Sequence, residues 1–101
     1  MKLANFKLLT IICEPVLRAS VLDLAREHGA TGFTATEVTG EGNGEKGTGE
    51  DREIKSKIEI VADQALASRL MEALAAQFFK DYSVITYLAD ISVMRAEKFE
   101  K

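Results

Sequence analysis

Two hydrophobic rhythms run through this chain, one of period two and one of period close to four. Phe6 to Cys13 is short, apolar and β-branched, and a proline follows two positions later, which predicts a strand. Pro15 suits the first turn of a helix, where its missing N–H is not needed, and Leu17, Val21 and Leu24 then share one helical face. His28-Gly29 supplies a stop signal. Gly32 to Val38 carries β-branched threonines and a valine and predicts a second strand, and Ile58 to Ala62 a third, with Ile58 and Ile60 on the face opposite Glu59. Asp63 is placed to cap a helix over Ala65 to Phe79, whose Leu66, Leu70, Leu74 and Phe78 recur every four residues. Val84 to Met94 alternates as a long last strand, and Arg95 to Lys101 reads as a polar C-terminal tail.

The order strand, helix, strand, strand, helix, strand predicts an α+β fold, the ferredoxin-like βαββαβ sandwich, as a single domain over 1–101. Right-handed crossovers place both helices on one face of the sheet. The other face then carries Leu8, Ile12 and one side of the last strand, more apolar surface than a monomer usually exposes, which implies a homo-oligomer packed through its sheets.

The stretch from Gly40 to Lys57 breaks both rhythms. It holds five of the seven glycines, half its residues are charged, and Ile54 is its only sizeable apolar side chain. Such a segment cannot pack a core, so 39–57 is expected to be a mobile loop between the second and third strands. Alternate glycines in Gly40-Glu41-Gly42-Asn43-Gly44 free the backbone to turn N–H groups toward an anion such as phosphate or bicarbonate. The spacing matches neither a P-loop nor a dinucleotide fingerprint. A loop of this length inside a small domain points to function.

Composition narrows the partners. A net charge of −3 and a pI near 5.2 argue against nucleic acid. Cys13 is the only cysteine, which excludes an internal disulfide and a cysteine-rich zinc site and fits a reducing cytoplasm. The N-terminus does not read as a signal peptide, and no segment reaches membrane-spanning length. His28 is expected to contact helix-terminal carbonyls, Cys13 to be a buried structural thiol, and Phe78, Phe79 and Tyr82 to pack at the helix end. Carboxylates at Glu41, Glu45, Glu50, Asp51 and Glu53 sit on a polar loop with no burial to tune them, and nothing resembles a catalytic constellation.

Three segments in this order, Gly29-Ala30-Thr31-Gly32-Phe33-Thr34, the glycine turn from Gly40 to Gly49, and Phe79-Lys80-Asp81-Tyr82-Ser83-Val84-Ile85-Thr86-Tyr87, resemble the PII-like signalling proteins. The similarity runs from about Lys7 to Phe99 and is nearest to the SbtB and carboxysome-associated branch. The resemblance implies a homotrimer that is not an enzyme, with adenine nucleotides in clefts between neighbours and a T-loop, here 39–57, whose order changes with ligand. It implies that Thr34, Ala35 and Thr36 line the cleft, with Gly40, Gly42 and Asn43 at the loop base, Val84 and Ile85 where the family's backbone reads adenine, and Arg95 as a phosphate-binding cation. Glu41 and Gly44 stand where relatives commonly carry lysine or arginine, leaving Lys46 as the nearest cation and favouring AMP or ADP over ATP, with cyclic AMP and bicarbonate as further candidates. The implied partner is a bicarbonate transporter or another membrane or carboxysome-associated protein, reached through the T-loop from the cytoplasm. Two other readings stay open, an interaction module without ligand control and a small nucleotide hydrolase.

Overall fold

The period-two segments form a single antiparallel sheet in the computed structural model, which describes residues 2–40 and 53–100. Strand β1 spans Ala4–Cys13, β2 Thr34–Gly40, β3 Glu53–Ala62 and β4 Ile85–Val93, in the spatial order β2-β3-β1-β4. Helix α1 spans Arg18–Glu27 and α2 spans Gln64–Phe78. This is the expected ferredoxin-like arrangement, with each helix carrying the chain over an intervening strand.

Local sequence explains the helix ends. Pro15–Leu17 forms a 3-10 turn that leads into α1, so the proline precedes the α-helix rather than opening it. At the other end Gly29 takes φ 104°, and the Ala30 N–H reaches back 2.9 Å to the Ala25 carbonyl. That left-handed residue is glycine because a Cβ there would strain the backbone. His28 Nδ1 lies 2.9 Å from the Leu24 carbonyl oxygen, the terminal contact expected of it. Asp63 caps α2 as predicted, accepting from the Leu66 N–H at 2.8 Å.

The core lies between the helices and one sheet face. Leu9, Ile11 and Cys13 of β1, Ile58 and Ile60 of β3, and Leu66, Leu70, Leu74 and Phe78 of α2 meet Val21, Leu22 and Leu24 of α1. Pairing fixes which residues share this face: Leu9 stands opposite Ile60 and Leu88, and Ile11 opposite Ile58 and Thr86. Cys13 is fully buried, and that burial pushes its thiol above the ordinary range, as suits a structural cysteine.

Two boundaries depart from expectation. Residues 53–57, placed by sequence in the loop, belong to β3, where Gly40 pairs with Glu53, Thr39 with Ile54 and Val38 with Lys55. Ladder hydrogen bonds to β2, rather than apolar content, hold them as strand. The C-terminal segment is not a free polar tail either. Ala96–Lys98 forms a second 3-10 turn, and the Phe99 ring lies 5.8 Å from that of Phe6. No described helix is long and apolar enough to cross a membrane.

Candidate functional site

Strand pairing lays the open face out as rows. One row runs Thr34, Glu59, Thr10, Tyr87 and the next Thr36, Lys57, Ile12, Ile85, each reading across the sheet from β2 to β4. Successive side chains alternate faces along a strand, so Thr34 and Thr36 share this surface and Ala35 does not. Ala35 pairs with Ile58 on the helix side, and only its backbone is available to a ligand on the open face. Thr34 and Thr36 therefore reach this surface by their side chains and Ala35 by its backbone.

The other predicted residues are dispersed in a single chain. Gly40 ends β2 opposite Glu53; its φ is not positive, and an added Cβ would meet nothing within 4 Å. Glycine is therefore not demanded there by the fold. Val84 packs against the core, while Ile85 begins β4 and is half exposed. β2 and β4 are the two sheet edges, about 14 Å apart across three strand spacings. Arg95 follows the far end of β4, about 26 Å of strand from Ile85. Its backbone is left-handed at φ 59°, and its Nε lies 3.9 Å from Glu97 Oε1. It lines a depression of ≈ 260 Å³ with Lys2, Leu3, Ala4 and Glu97. Gly42, Asn43 and Lys46 lie outside the described residues.

What the chain does bring together is a groove of ≈ 190 Å³ lined by Thr31, Gly32, Phe33, Thr34, Glu59, Val61, Lys98 and Phe99. Sequence reasoning placed only Thr34 of these in a site. Glu59 and Val61 belong to it because β3 pairs with β2, and Lys98 and Phe99 because the C-terminal segment folds back. The alternation of Glu59 against Ile58 and Ile60 was a usable signal, since it put a carboxylate on the face opposite the core.

The chemistry of this groove is that of a small aromatic ligand with polar edges. Val61 offers an apolar wall, the Thr34 hydroxyl donates or accepts, the Glu59 carboxylate accepts from N–H groups, and Lys98 and Phe99 close the groove from the C-terminal segment. Arg26 lies over the neighbouring Phe33 ring at 5.4 Å and holds that aromatic at the rim. On β3 toward the β2–β3 connection, the largely buried Lys55 is paired with Glu53 at 2.9 Å. Among the described residues no group of three or more His, Cys, Asp or Glu side chains is placed to hold a metal ion.

Comparison with known proteins agrees with the fold. The family model for nitrogen regulatory protein P-II matches residues 6–98. A chain from Thermus thermophilus assigned as a PII-like signalling protein is 30% identical, with 99% of this chain and 100% of that one covered and a TM-score of 0.84. CPII from Thiomonas intermedia, in a structure with ADP and bicarbonate, is 28% identical over 98% of each chain with a TM-score of 0.84. Its structure with ADP, AMP and acetate gives 29% identity over 98% of each chain and a TM-score of 0.82. No functionally curated protein matches the chain.

Proposed function

The chain belongs to the nitrogen regulatory protein P-II family, and from that premise we propose that it is a non-catalytic sensor of adenine nucleotides that works as a homotrimer. ADP or AMP binds on the open sheet face, with bicarbonate beside the phosphates. The observation that carries this reading is the groove in which Thr34 and Glu59 stand side by side on paired strands, next to Val61. A carboxylate beside a hydroxyl suits the amino and ring nitrogens of adenine, and Val61 suits its face. The Thiomonas protein, similar along almost its whole length, binds ADP, AMP and bicarbonate.

The layout of the sheet supports a site shared between neighbours. Gly40 and Thr36 on one edge and Val84 and Ile85 on the other cannot meet around one small ligand within a chain, whereas the opposite edges of two copies can. Ile85, Tyr87 and Met94 are each about half exposed, giving the apolar surface that such an assembly covers. We place the nucleotide between protomers, contacted by Thr34, Thr36, the Ala35 backbone and the Gly40 end of β2, by Val84 and Ile85, and by the Arg95 guanidinium at the phosphates. Gly42, Asn43 and Lys46, in the segment joining β2 to β3, complete the phosphate end. Occupancy then governs how the segment between β2 and β3 is presented to a partner, for which a bicarbonate transporter or a carboxysome-associated protein in the cytoplasm is our candidate.

Isothermal titration with ADP, AMP, ATP and cyclic AMP, each with and without bicarbonate, tests the reading. Saturable binding of ADP and AMP, up to one per protomer, is expected, with light scattering giving a trimer mass. No heat with any nucleotide would return the chain to an interaction module, and released inorganic phosphate would make it a hydrolase.

A further inference from the structure

The groove that holds Thr34 and Glu59 is lined in part by the protein's own C-terminal segment. Past β4 the chain reverses at Arg95, the only described non-glycine residue with positive φ, and turns through Ala96–Lys98. The Lys98 N–H donates to the Arg95 carbonyl at 3.0 Å and the Phe99 N–H to the Ala96 carbonyl at 2.9 Å, which fixes the direction of the turn. Phe99 is thereby set against Phe6, with ring centres 5.8 Å apart and planes tilted by 59°. Phe6 lies on the open face yet is only 8% exposed. Lys98 and Phe99 line the groove together with Gly32, Thr34, Glu59 and Val61.

With this segment in place one protomer's share of the site, the groove, measures ≈ 190 Å³, below the roughly 300–1,000 Å³ typical of whole small-molecule sites. We infer that residues 96–100 form an internal strap, in which Phe99 and Lys98 occupy space that the adenine base needs, so that strap docking and nucleotide binding compete. Phe99 supplies to the groove the apolar contact that the base would supply, and Lys98 supplies a charge on the same lining as Glu59. The contacts described are modest: a tilted aromatic pair and a short turn that reverses through a left-handed arginine. Binding then releases the strap, and the C-terminal segment reports occupancy at the end of the sheet remote from the β2–β3 connection. This inference rests on the nucleotide reading and deepens it.

The chain contains no tryptophan, so Phe99→Trp introduces a single indole at the strap. Its emission is expected to be blue-shifted in the free protein and to move to the red as ADP saturates. In parallel, Phe99→Ala is expected to tighten ADP binding in calorimetry roughly two- to tenfold, the equilibrium factor of one aromatic pair. Measurable binding with an unchanged dissociation constant in Phe99→Ala, or an indole whose emission ignores ADP, overturns the strap and leaves the sensor standing. Weaker binding in Phe99→Ala also overturns it, because Phe99 is then a wall of the site and not a competitor. Absence of heat in both wild type and Phe99→Ala removes the nucleotide reading itself and the competition with it.

Discussion

The two faces of the sheet are made by the same four strands and obey different rules. On the helix-covered face Leu9, Ile11, Ile58 and Ile60 are at most 1% exposed, and the helices add Val21, Leu70 and Leu74 at the same level. On the open face threonines, Lys57 and Glu59 stand in rows with Ile12, Ile85 and Tyr87, and the last two are 51% and 47% exposed. A largely apolar face is satisfied by the protein's own helices. A face that mixes aromatic, aliphatic and hydrogen-bonding groups is suited to something that is itself mixed: a ligand, a second copy, or the chain's own C-terminal segment. One face therefore fixes the fold and the other carries the chemistry.

The largest test of that division is on the covered face. Leu70→Ala removes a fully buried side chain of α2 and is expected to cost about 2–5 kcal/mol in urea unfolding, since the lost contacts leave a cavity. Ile85→Asp, on the open face, is expected to leave the circular dichroism spectrum intact and to lower the mass seen by light scattering. A folded Leu70→Ala of undiminished stability, or an Ile85→Asp that unfolds, would erase the distinction between the faces.

Next in size is the charge at the end of the open face. Arg95→Ala is expected to weaken ADP binding by about 1–3 kcal/mol, the usual range for losing a charged hydrogen-bond partner. Arg95→Gly removes the same guanidinium and relieves the left-handed backbone as well. Equal losses in the two variants assign the effect to the charge at the phosphates, and unequal losses assign part of it to the geometry of the turn. An unchanged dissociation constant in both takes Arg95 out of the site.

A smaller effect belongs to the helix that covers the core. Asp63→Ala leaves the Leu66 N–H at the start of α2 without its side-chain acceptor and is expected to lower stability by about 1 kcal/mol, without altering nucleotide affinity. A change in affinity of comparable size would show that the two faces are coupled through α2.

How much of this was legible from the chain divides along the same line. The covered face was almost wholly readable, because its stripes (Leu66, Leu70, Leu74 and Phe78; Leu9 and Ile11; Ile58 and Ile60) repeat with the period of their own element. The open face was readable only in part, because its groupings depend on register. Thr34 and Glu59 are far apart in sequence and neighbours only once β2 and β3 pair, and nothing within either segment announces that pairing. The same holds for the start of β3, where the ladder to β2 keeps a charged stretch extended, and for Phe99, a lone aromatic among polar residues whose partner Phe6 is at the other end of the chain.

The smallest expected effect lies at the margin of the covered face, where Lys7 of β1 pairs with Asp90 of β4. These residues stand on the helix side beyond the packed core, and an open depression of ≈ 510 Å³ lined by Asn5, Lys7, Gln64, Asp90 and Ser92 separates them from full cover. The Asp90 side chain is 84% exposed, so water and salt screen the attraction. A double-mutant cycle of Lys7→Ala and Asp90→Ala is expected to give a coupling of about 0–1 kcal/mol that shrinks further in 1 M salt. A coupling well above that range, insensitive to salt, would mean that this edge is covered in the assembled protein, and that the margin between the two faces lies farther out than one protomer places it.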